Sequence, residues 1–165
     1  MFRSIDDFEL SWAYESDATL KMLRALTDVS LAQRVTPAGR TLGRLAWHIT
    51  QTLPEMGGHA GLQVDGPGPD APVPHAEEIV SAYEQAARSL VAAVRRQWTD
   101  SMLFEKIPMY GEHWTRGATL LALLAHQIHH RGQMTVLMRQ AGLTVPGVYG
   151  PAREEWAELG MEPQA

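Results

Sequence analysis

The sequence predicts an all-α protein, a four-helix bundle with a short helix near its C-terminus. Apolar residues recur every three or four positions in four long segments, as expected for helices that each bury one face. The connections between these segments are of moderate length, which favours a bundle. The 165 residues are expected to form one domain, 1–165, because soluble domains usually contain roughly 100–200 residues.

The composition is that of an ordinary globular protein, with 45% hydrophobic and 20% charged residues. The chain has no cysteine. A disulfide scaffold, an iron–sulfur cluster and a cysteine nucleophile are therefore excluded. The seven histidines become the best candidates for binding a transition metal.

The charge pattern narrows the choice of partners. The formal net charge is −5, and the only lysines are Lys21 and Lys106. A nucleic-acid surface needs concentrated basic residues, so nucleic acid is not expected as a partner. The N-terminus lacks the apolar core of a secretory signal. The longest apolar stretch, Ala118–Ala125, is too short for the ~20 residues that span a bilayer, so we expect a cytoplasmic protein without membrane contact.

The first two helices follow from their periodicity. The first is predicted from Ile5 to about Val29. Thr36 followed by Pro37 is typical of a helix start, with a capping hydroxyl and a proline at the first helical position. The second helix is expected from there, with Pro54 introducing a kink near its end. Its buried stripe is Leu42, Leu45, Ile49, Leu53 and Met56.

The second half of the chain contains the other two helices. Residues 65–74 are rich in proline and glycine and are expected to form a loop, and the third helix should run from about His75 to Gln97. Residues 101–114 are ambiguous, although Gly111 would allow a short hairpin. The fourth helix should begin after Thr115 and end before a left-handed cap at Gly142. A short last helix is predicted at 152–159.

Histidines in the fourth helix indicate a metal site. His126 and His130 are four residues apart and can direct two imidazoles at one point. His126 and His129, three apart, could do the same. The residues in line with His126 and His130 are more typical of a core, which favours that pair. His48 in the second helix would complete a three-histidine site with an open position, the pattern of a catalytic metal.

Simpler interpretations compete with this one. A lone histidine such as His48 is usually a core residue, whereas two buried imidazoles without a partner are costly. Glu55 lies on the same face as His48. It is a candidate for a fourth metal ligand, for a residue that hydrogen-bonds to a ligand, or for a general base. Gln127 stands where metalloproteases of the His-Glu-x-x-His type have their glutamate, which disfavours that chemistry. His59, His75 and His113 are expected to be solvated surface residues. Arg131 is expected to form a salt bridge at the surface or, alternatively, to bind an acidic group of the substrate.

Three segments resemble a known family. The stretch from His126 to Gly142 is similar to the characteristic helix of the DinB-like (damage-inducible) superfamily, and its most specific part is His129-His-Arg-Gly-Gln133. The segment from Val145 to Trp156 resembles the tail common in that superfamily. Thr41–Ile49 resembles its second helix. The resemblance covers nearly the whole chain.

The resemblance implies a fold and a metal. The family fold is an up-down-down-up four-helix bundle, usually assembled as a homodimer. The family's metal triad corresponds to His48, His126 and His130, which argues against direct ligation by His129. The implied cofactor is a divalent ion, with zinc or nickel as the first candidates.

The same resemblance gives the functional hypotheses. Some relatives are metal-dependent enzymes that use low-molecular-weight thiols such as bacillithiol, mycothiol or glutathione. The first hypothesis is therefore a thiol S-transferase acting on a small electrophilic substrate, with Glu55 or Tyr110 as the catalytic group that moves protons. The alternatives are a metal-dependent hydrolase with the same ligands and a non-catalytic, stress-related metal-binding protein.

Overall fold

The computed structural model describes residues 2–160 and 162 and contains four long helices and one small hairpin. The helices are α1 (Ile5–Arg24), α2 (Leu42–His59), α3 (Ala76–Gln97) and α4 (Arg116–Gln140). The hairpin strands are β1 (Lys106–Met109) and β2 (Glu112–Thr115). Short 3-10 helices occur at Val29–Ala32, Asp100–Phe104 and Arg153–Glu155. The prediction of an all-α bundle is confirmed.

Ion pairs and shared grooves give the direction of α1 relative to two neighbours. Arg24 and Glu84 meet at 2.6 Å at one end of the α1–α3 pair, and Arg95 meets Glu9 at 2.7 Å at the other end. These two helices are therefore antiparallel. Helix α4 is parallel to α1. Arg131, late in α4, donates to Thr19, late in α1, at 3.1 Å, and Ser11 and Leu121, which are nearer the starts of the two helices, line one groove.

Helix α2 is antiparallel to α4. His48, early in α2, contacts His126 near the middle of α4, and Met56, late in α2, shares a small cavity with Leu120 near the start of α4. With α1 pointing up, α2 and α3 point down and α4 points up. The up-down-down-up arrangement is confirmed, and it places α2 and α4 side by side.

Two predicted helix boundaries are wrong. Helix α1 ends at Arg24 rather than at about Val29, and a turn leads from it into a 3-10 helix. Helix α2 begins at Leu42 rather than after Thr36. The side chain of Thr41 accepts from the backbone N–H of Arg44 at 3.0 Å, so Thr41 is the N-cap next to the first apolar residue of the stripe. Residues 36–39 form a turn instead.

The other boundaries agree better with the sequence. Thr115 caps α4 through the N–H of Ala118 at 3.1 Å, and Gly142 has a φ of 75°, as a left-handed cap requires. The predicted hairpin is confirmed. Tyr110 and Gly111 form its two-residue turn with φ values of 50° and 85°, the backbone of a type I′ turn. The sequence predicts the last helix at 152–159. The structure has only a short 3-10 helix there, at Arg153–Glu155.

Apolar side chains from all four helices fill the core between them. Each fully buried large side chain, such as Phe8, Leu53, Leu90 or Met138, contributes about 1.5–3 kcal/mol to stability relative to an exposed one. Within residues 2–160 and 162, no helix has the length and apolar character needed to cross a membrane.

Candidate metal centre

Three histidines converge between α2 and α4. His126 and His130 are one turn apart on α4 and face α2, which presents His48. The Nε2 atoms of His48 and His126 are 3.1 Å apart, and one ligand nitrogen from each of the three rings lies within 4.8 Å of the others. The structure thus brings together the three residues singled out from the sequence, which we call the histidine cluster.

The spacing of the histidine cluster fits a metal ion. Zinc–nitrogen bonds of roughly 2.0–2.1 Å in a tetrahedral site place two ligand nitrogens about 3.3 Å apart. The 3.1 Å between His48 and His126 is close to this value. The Nδ1 atom of His126 is buried without a hydrogen-bond partner among the described residues. Three imidazoles without an acidic partner in the cluster are a donor set suited to a divalent transition metal.

Burial keeps these imidazoles neutral at pH 7. Burial lowers the pKa of His48 to about 4, with smaller contributions from His130, when it is protonated, and from Arg40 and Arg44. Burial and the neighbouring histidines lower the pKa of His126 to about 4 as well. The pKa of His130 is also lowered, mainly by burial. Neutral imidazole is the form that binds metal, so all three side chains are ready to act as ligands near neutral pH.

The loop at 65–74 is attached to α2 beside His48. Trp47 donates to the carbonyl of Ala71 at 2.8 Å, and Gln51 donates to that of Gly68 at 2.7 Å. The loop is thereby fastened to one side of α2, and His48 projects from another side toward α4. Gln127 on α4 is directed into the core instead, where it accepts from Tyr83 at 2.7 Å.

His129 lies outside the histidine cluster. Its side chain is exposed, and its ring centre is 5.0 Å from that of His130. Gln133 contacts both residues, with 2.7 Å between its Oε1 and Nδ1 of His130 and 3.1 Å between its Nε2 and Nε2 of His129. Sequence reasoning did not assign a role to Gln133, although its position one turn after His129 and close to His130 was a usable signal.

A cavity of about 310 Å³ adjoins the cluster. His48 and His126 form part of its wall, and Glu55, Tyr110 and Trp114 form the outer part. The Tyr110 hydroxyl donates to Oε1 of Glu55 at 2.9 Å. Burial, together with this hydrogen bond, raises the pKa of Tyr110, so its hydroxyl keeps its proton.

Glu55 is separate from the ligand atoms of the cluster. The ligand atoms that lie within 4.8 Å of one another belong to the three histidines, and Glu55 is not among these residues. The carboxylate lies instead between Tyr110 and His59, whose Nε2 is 3.6 Å from Oε1. The hairpin thus brings Tyr110 and Glu55 together at the wall of the cavity, as a pair next to the cluster.

The expectation that Arg131 forms a surface contact is wrong. Its side chain is buried and donates to Oε2 of Glu15 and to the hydroxyl of Tyr149, each at 2.6 Å. Burial and the Glu15 hydrogen bond raise the pKa of Tyr149 to about 12, so its hydroxyl remains a donor to Glu15. We call these three residues the arginine cluster. Its sequence signal was Glu15 in the apolar stripe of α1, between Trp12 and Thr19.

The expected surface positions of the remaining histidines are correct. His59, His75 and His113 are all exposed. His75 also precedes α3, where its backbone N–H donates to Glu78 at 3.0 Å and its ring lies 3.0 Å from Asp28. These contacts give His75 a structural role at the start of that helix.

The fold and the cluster define a helical-bundle protein with a three-histidine centre, and comparison with known proteins identifies its family. The model of the DinB family matches residues 1–165. An uncharacterised protein of Bacillus subtilis (strain 168), YrdA, is 50% identical over 163 residues, covering 98% of each chain. The chain therefore belongs to the DinB family.

Solved structures agree with this assignment. The crystal structure of a DinB-like protein from Bacillus cereus ATCC 10987 is 46% identical, with a TM-score of 0.87 over 90% of this chain and 100% of that one. A second DinB-like protein, YjoA from Bacillus subtilis, is 18% identical, with a TM-score of 0.68 over 88% of this chain and 98% of the other. The second similarity concerns the fold alone.

Proposed function

We propose that the protein is a divalent-metal-dependent thiol S-transferase that acts on a small electrophilic substrate. His48, His126 and His130 are the proposed ligands, and zinc or nickel the proposed metal. The observation that carries the proposal is the cluster of three neutral imidazoles beside a cavity of about 310 Å³. Three protein ligands leave a coordination position for an exogenous group, which is typical of a catalytic site.

The bound metal would supply Lewis acidity, which lowers the pKa of a thiol at the open position and favours the thiolate nucleophile. The chain has no cysteine, so the sulfur must come from a cosubstrate. The cavity wall, with Met56, Ala122 and Trp114, gives the electrophile an apolar surface next to the cluster. That surface also limits the access of water to the reacting atoms.

Tyr110 and Glu55 are the proposed proton-moving pair. Tyr110 retains its proton and donates to Glu55 at 2.9 Å. As the thiol S–H loses its proton to the Tyr110 oxygen, the Tyr110 proton passes to Oε1 of Glu55. A hydroxyl–carboxylate pair of this kind accepts a proton without leaving an isolated charge on the phenol.

The experiment is a thiol titration of the nickel-loaded protein. Nickel–thiolate bonds absorb light, so a thiol that enters the open position should produce a new absorbance band. We expect this band in the unchanged protein and in His129→Ala, and its loss in His126→Ala. If no member of a thiol panel gives a band although nickel is bound, the transferase proposal is wrong.

Binding without turnover would separate the remaining possibilities. The same ligands with water at the open position would form a hydrolase, which a panel of esters and amides tests. A protein that binds metal yet shows neither activity would be a non-catalytic metal-binding protein.

A homodimer is the proposed assembly. A groove of about 690 Å³ between α1 and α3 has apolar residues such as Trp12, Leu20 and Val91, with the Arg24–Glu84 ion pair on its rim. A surface with both signs of charge can be self-complementary, as a twofold interface requires. Light scattering should give twice the chain mass, and Leu20→Glu should reduce it. A monomeric mass for the unchanged protein would contradict the proposal.

A further inference from the structure

The segment His129–Gln133 contains two residues without a role in the proposed function. They are His129 and Gln133, which lie on the outer side of the histidine cluster. Both are exposed, yet they form a continuous hydrogen-bonded chain with His130. Ring nitrogens that face away from a metal commonly have such partners, which fix the orientation of the ligand.

The contact between Gln133 and His130 determines the tautomer of His130. The Oε1 atom of an amide can only accept a hydrogen bond, so with the amide in this orientation the Nδ1 atom of His130, 2.7 Å away, carries the proton. A neutral imidazole has one N–H, and Nε2 of His130 is then left with its lone pair. This lone pair is the one available to a metal in the cluster.

The contact between Gln133 and His129 couples the orientation of the amide to the tautomer of His129. The Nε2 atom of Gln133 can only donate, so at 3.1 Å the Nε2 atom of His129 is the acceptor. If the amide were reversed, both histidines would need the other tautomer: Nε2 of His129 would donate to the amide oxygen, and Nδ1 of His130 would accept from the NH₂ group. The proton of His130 would then lie on Nε2, where it would block a metal, so the orientation with Oε1 on Nδ1–H is the one that prepares His130 as a ligand.

We infer that Gln133 is a positioning residue for the metal site and that His129 acts on the metal through the orientation of Gln133. The inference rests on the metal-binding part of the proposed function and is independent of the thiol chemistry. Among the described residues, the outer nitrogen of His126 is buried without a partner, so His130 is the more firmly held of the two α4 ligands. This assigns distinct roles to two adjacent histidines.

A double-mutant cycle on metal affinity tests the inference. Affinity for Zn²⁺ is measured by competition with a chelating dye. Gln133→Leu should weaken binding about 10–100-fold, the range typical of lost outer-shell partners. Gln133→Glu should keep the affinity near that of the unchanged protein, because a carboxylate oxygen accepts from the same Nδ1–H. Gln140→Leu, the same change two turns further along α4, is the matched control and should have no effect.

The His129 arm is the more specific test. His129→Leu should weaken binding by a few-fold in the unchanged protein, because the amide loses its preferred orientation. In the Gln133→Glu background, the same change should have no effect, because both carboxylate oxygens accept and no orientation needs to be fixed. Equal losses in the two backgrounds would overturn the role of His129.

Nuclear magnetic resonance of the metal-free protein provides a readout that does not depend on metal or activity. Nitrogen chemical shifts should show His130 protonated at Nδ1 in the unchanged protein and in Gln133→Glu, and a mixture of tautomers in Gln133→Leu. An unchanged tautomer in Gln133→Leu, or unchanged zinc affinity, would overturn the positioning role. Failure of the protein to bind zinc would refute the proposed function, whereas the tautomer measurement would still decide this inference.

Discussion

Helix α4 has a polar cluster on each of two sides, and the two clusters are built differently. His130 belongs to the histidine cluster and the next residue, Arg131, to the arginine cluster. In the arginine cluster, donors meet acceptors: the guanidinium contacts the Glu15 carboxylate at 2.6 Å, and the hydroxyl of Tyr149 donates to the same carboxylate at 2.8 Å. In the histidine cluster, the Nε2 atoms of His48 and His126 lie 3.1 Å apart, close enough for one N–H···N hydrogen bond, and the cluster contains no carboxylate.

The difference separates a structural role from a binding role. A buried ion pair whose hydrogen bonds are satisfied needs no further partner. Three converging imidazole nitrogens can satisfy one another only in part through N–H···N contacts, whereas a positive ion accepts a lone pair from each of them. We therefore expect changes in the arginine cluster to alter folding stability, and changes in the histidine cluster to alter metal affinity.

The largest expected effect is on folding. Arg131→Met removes one partner and leaves the Glu15 charge buried, so the free energy of unfolding should fall by about 3–5 kcal/mol. Urea unfolding measures it. Zinc affinity under folding conditions should hardly change. A large loss of zinc affinity in a folded variant would show that the two clusters are not independent.

The second effect is on metal binding. His130→Ala should weaken zinc binding by more than about 100-fold, since losing a ligand exceeds the roughly 10–100-fold loss for an outer partner. His129→Ala is the neighbouring control and should cause a much smaller loss. Isothermal titration with a competing chelator measures both. Equal losses in the two variants would mean that the choice of ligand on α4 is wrong.

A smaller change tests the arginine cluster again. Tyr149→Phe removes a hydrogen bond to the Glu15 carboxylate at 2.8 Å but keeps the ion pair. The unfolding free energy should fall by about 1–2 kcal/mol, toward the low end of the range of roughly 1.5–3 kcal/mol for a hydrogen bond to a charged group, because Tyr149 is largely exposed. Thermal unfolding should show a small decrease in Tm, and a loss as large as that of Arg131→Met would contradict the expected ranking.

The smallest effect is expected for pH near neutrality. Because the pKa values of His48 and His126 are about 4, these imidazoles stay neutral as pH falls from about 7.5 to about 6, whereas an ordinary histidine with a pKa near 6.5 becomes charged. Zinc affinity should therefore change little in this range and decrease as pH approaches 4. A steep loss of zinc affinity between about pH 7.5 and about pH 6 would show that the ligands are ordinary exposed histidines.

The stability of the metal-free protein should also depend on pH, because His48 and His126 bind protons differently in the folded and unfolded chains. Below pH 6.5 the unfolded chain takes up protons at His48 and His126 that the folded chain does not. Stability should therefore decrease as pH falls from about 6.5 toward 4, with no contribution from these groups above that range. Urea unfolding at several pH values measures this dependence.

Periodicity and donor chemistry made much of the molecule predictable. The stripe from Leu42 to Met56 and the four-residue spacing of His126 and His130 depend on the helix alone, so the sequence contains them. The burial of Arg131 depends on Glu15, more than a hundred residues away, and on the path of the tail that brings Tyr149 back to α1. Such long-range pairing has no periodic signal. Thr36 and Thr41 both satisfy the local rule for a cap, and only the packing of α2 distinguishes them.

The adjacency of His130 and Arg131 also limits how α4 can be oriented. Successive residues in a helix are separated by about 100° around its axis, so a rotation by one position would direct the guanidinium of Arg131 toward His48. Gly132 would then take the place of Arg131, so the Glu15 carboxylate would be left without its cation. The ion pair on one side of α4 thus disfavours a rotated helix. It thereby fixes the direction in which the imidazoles point on the other side, although it does not contact them.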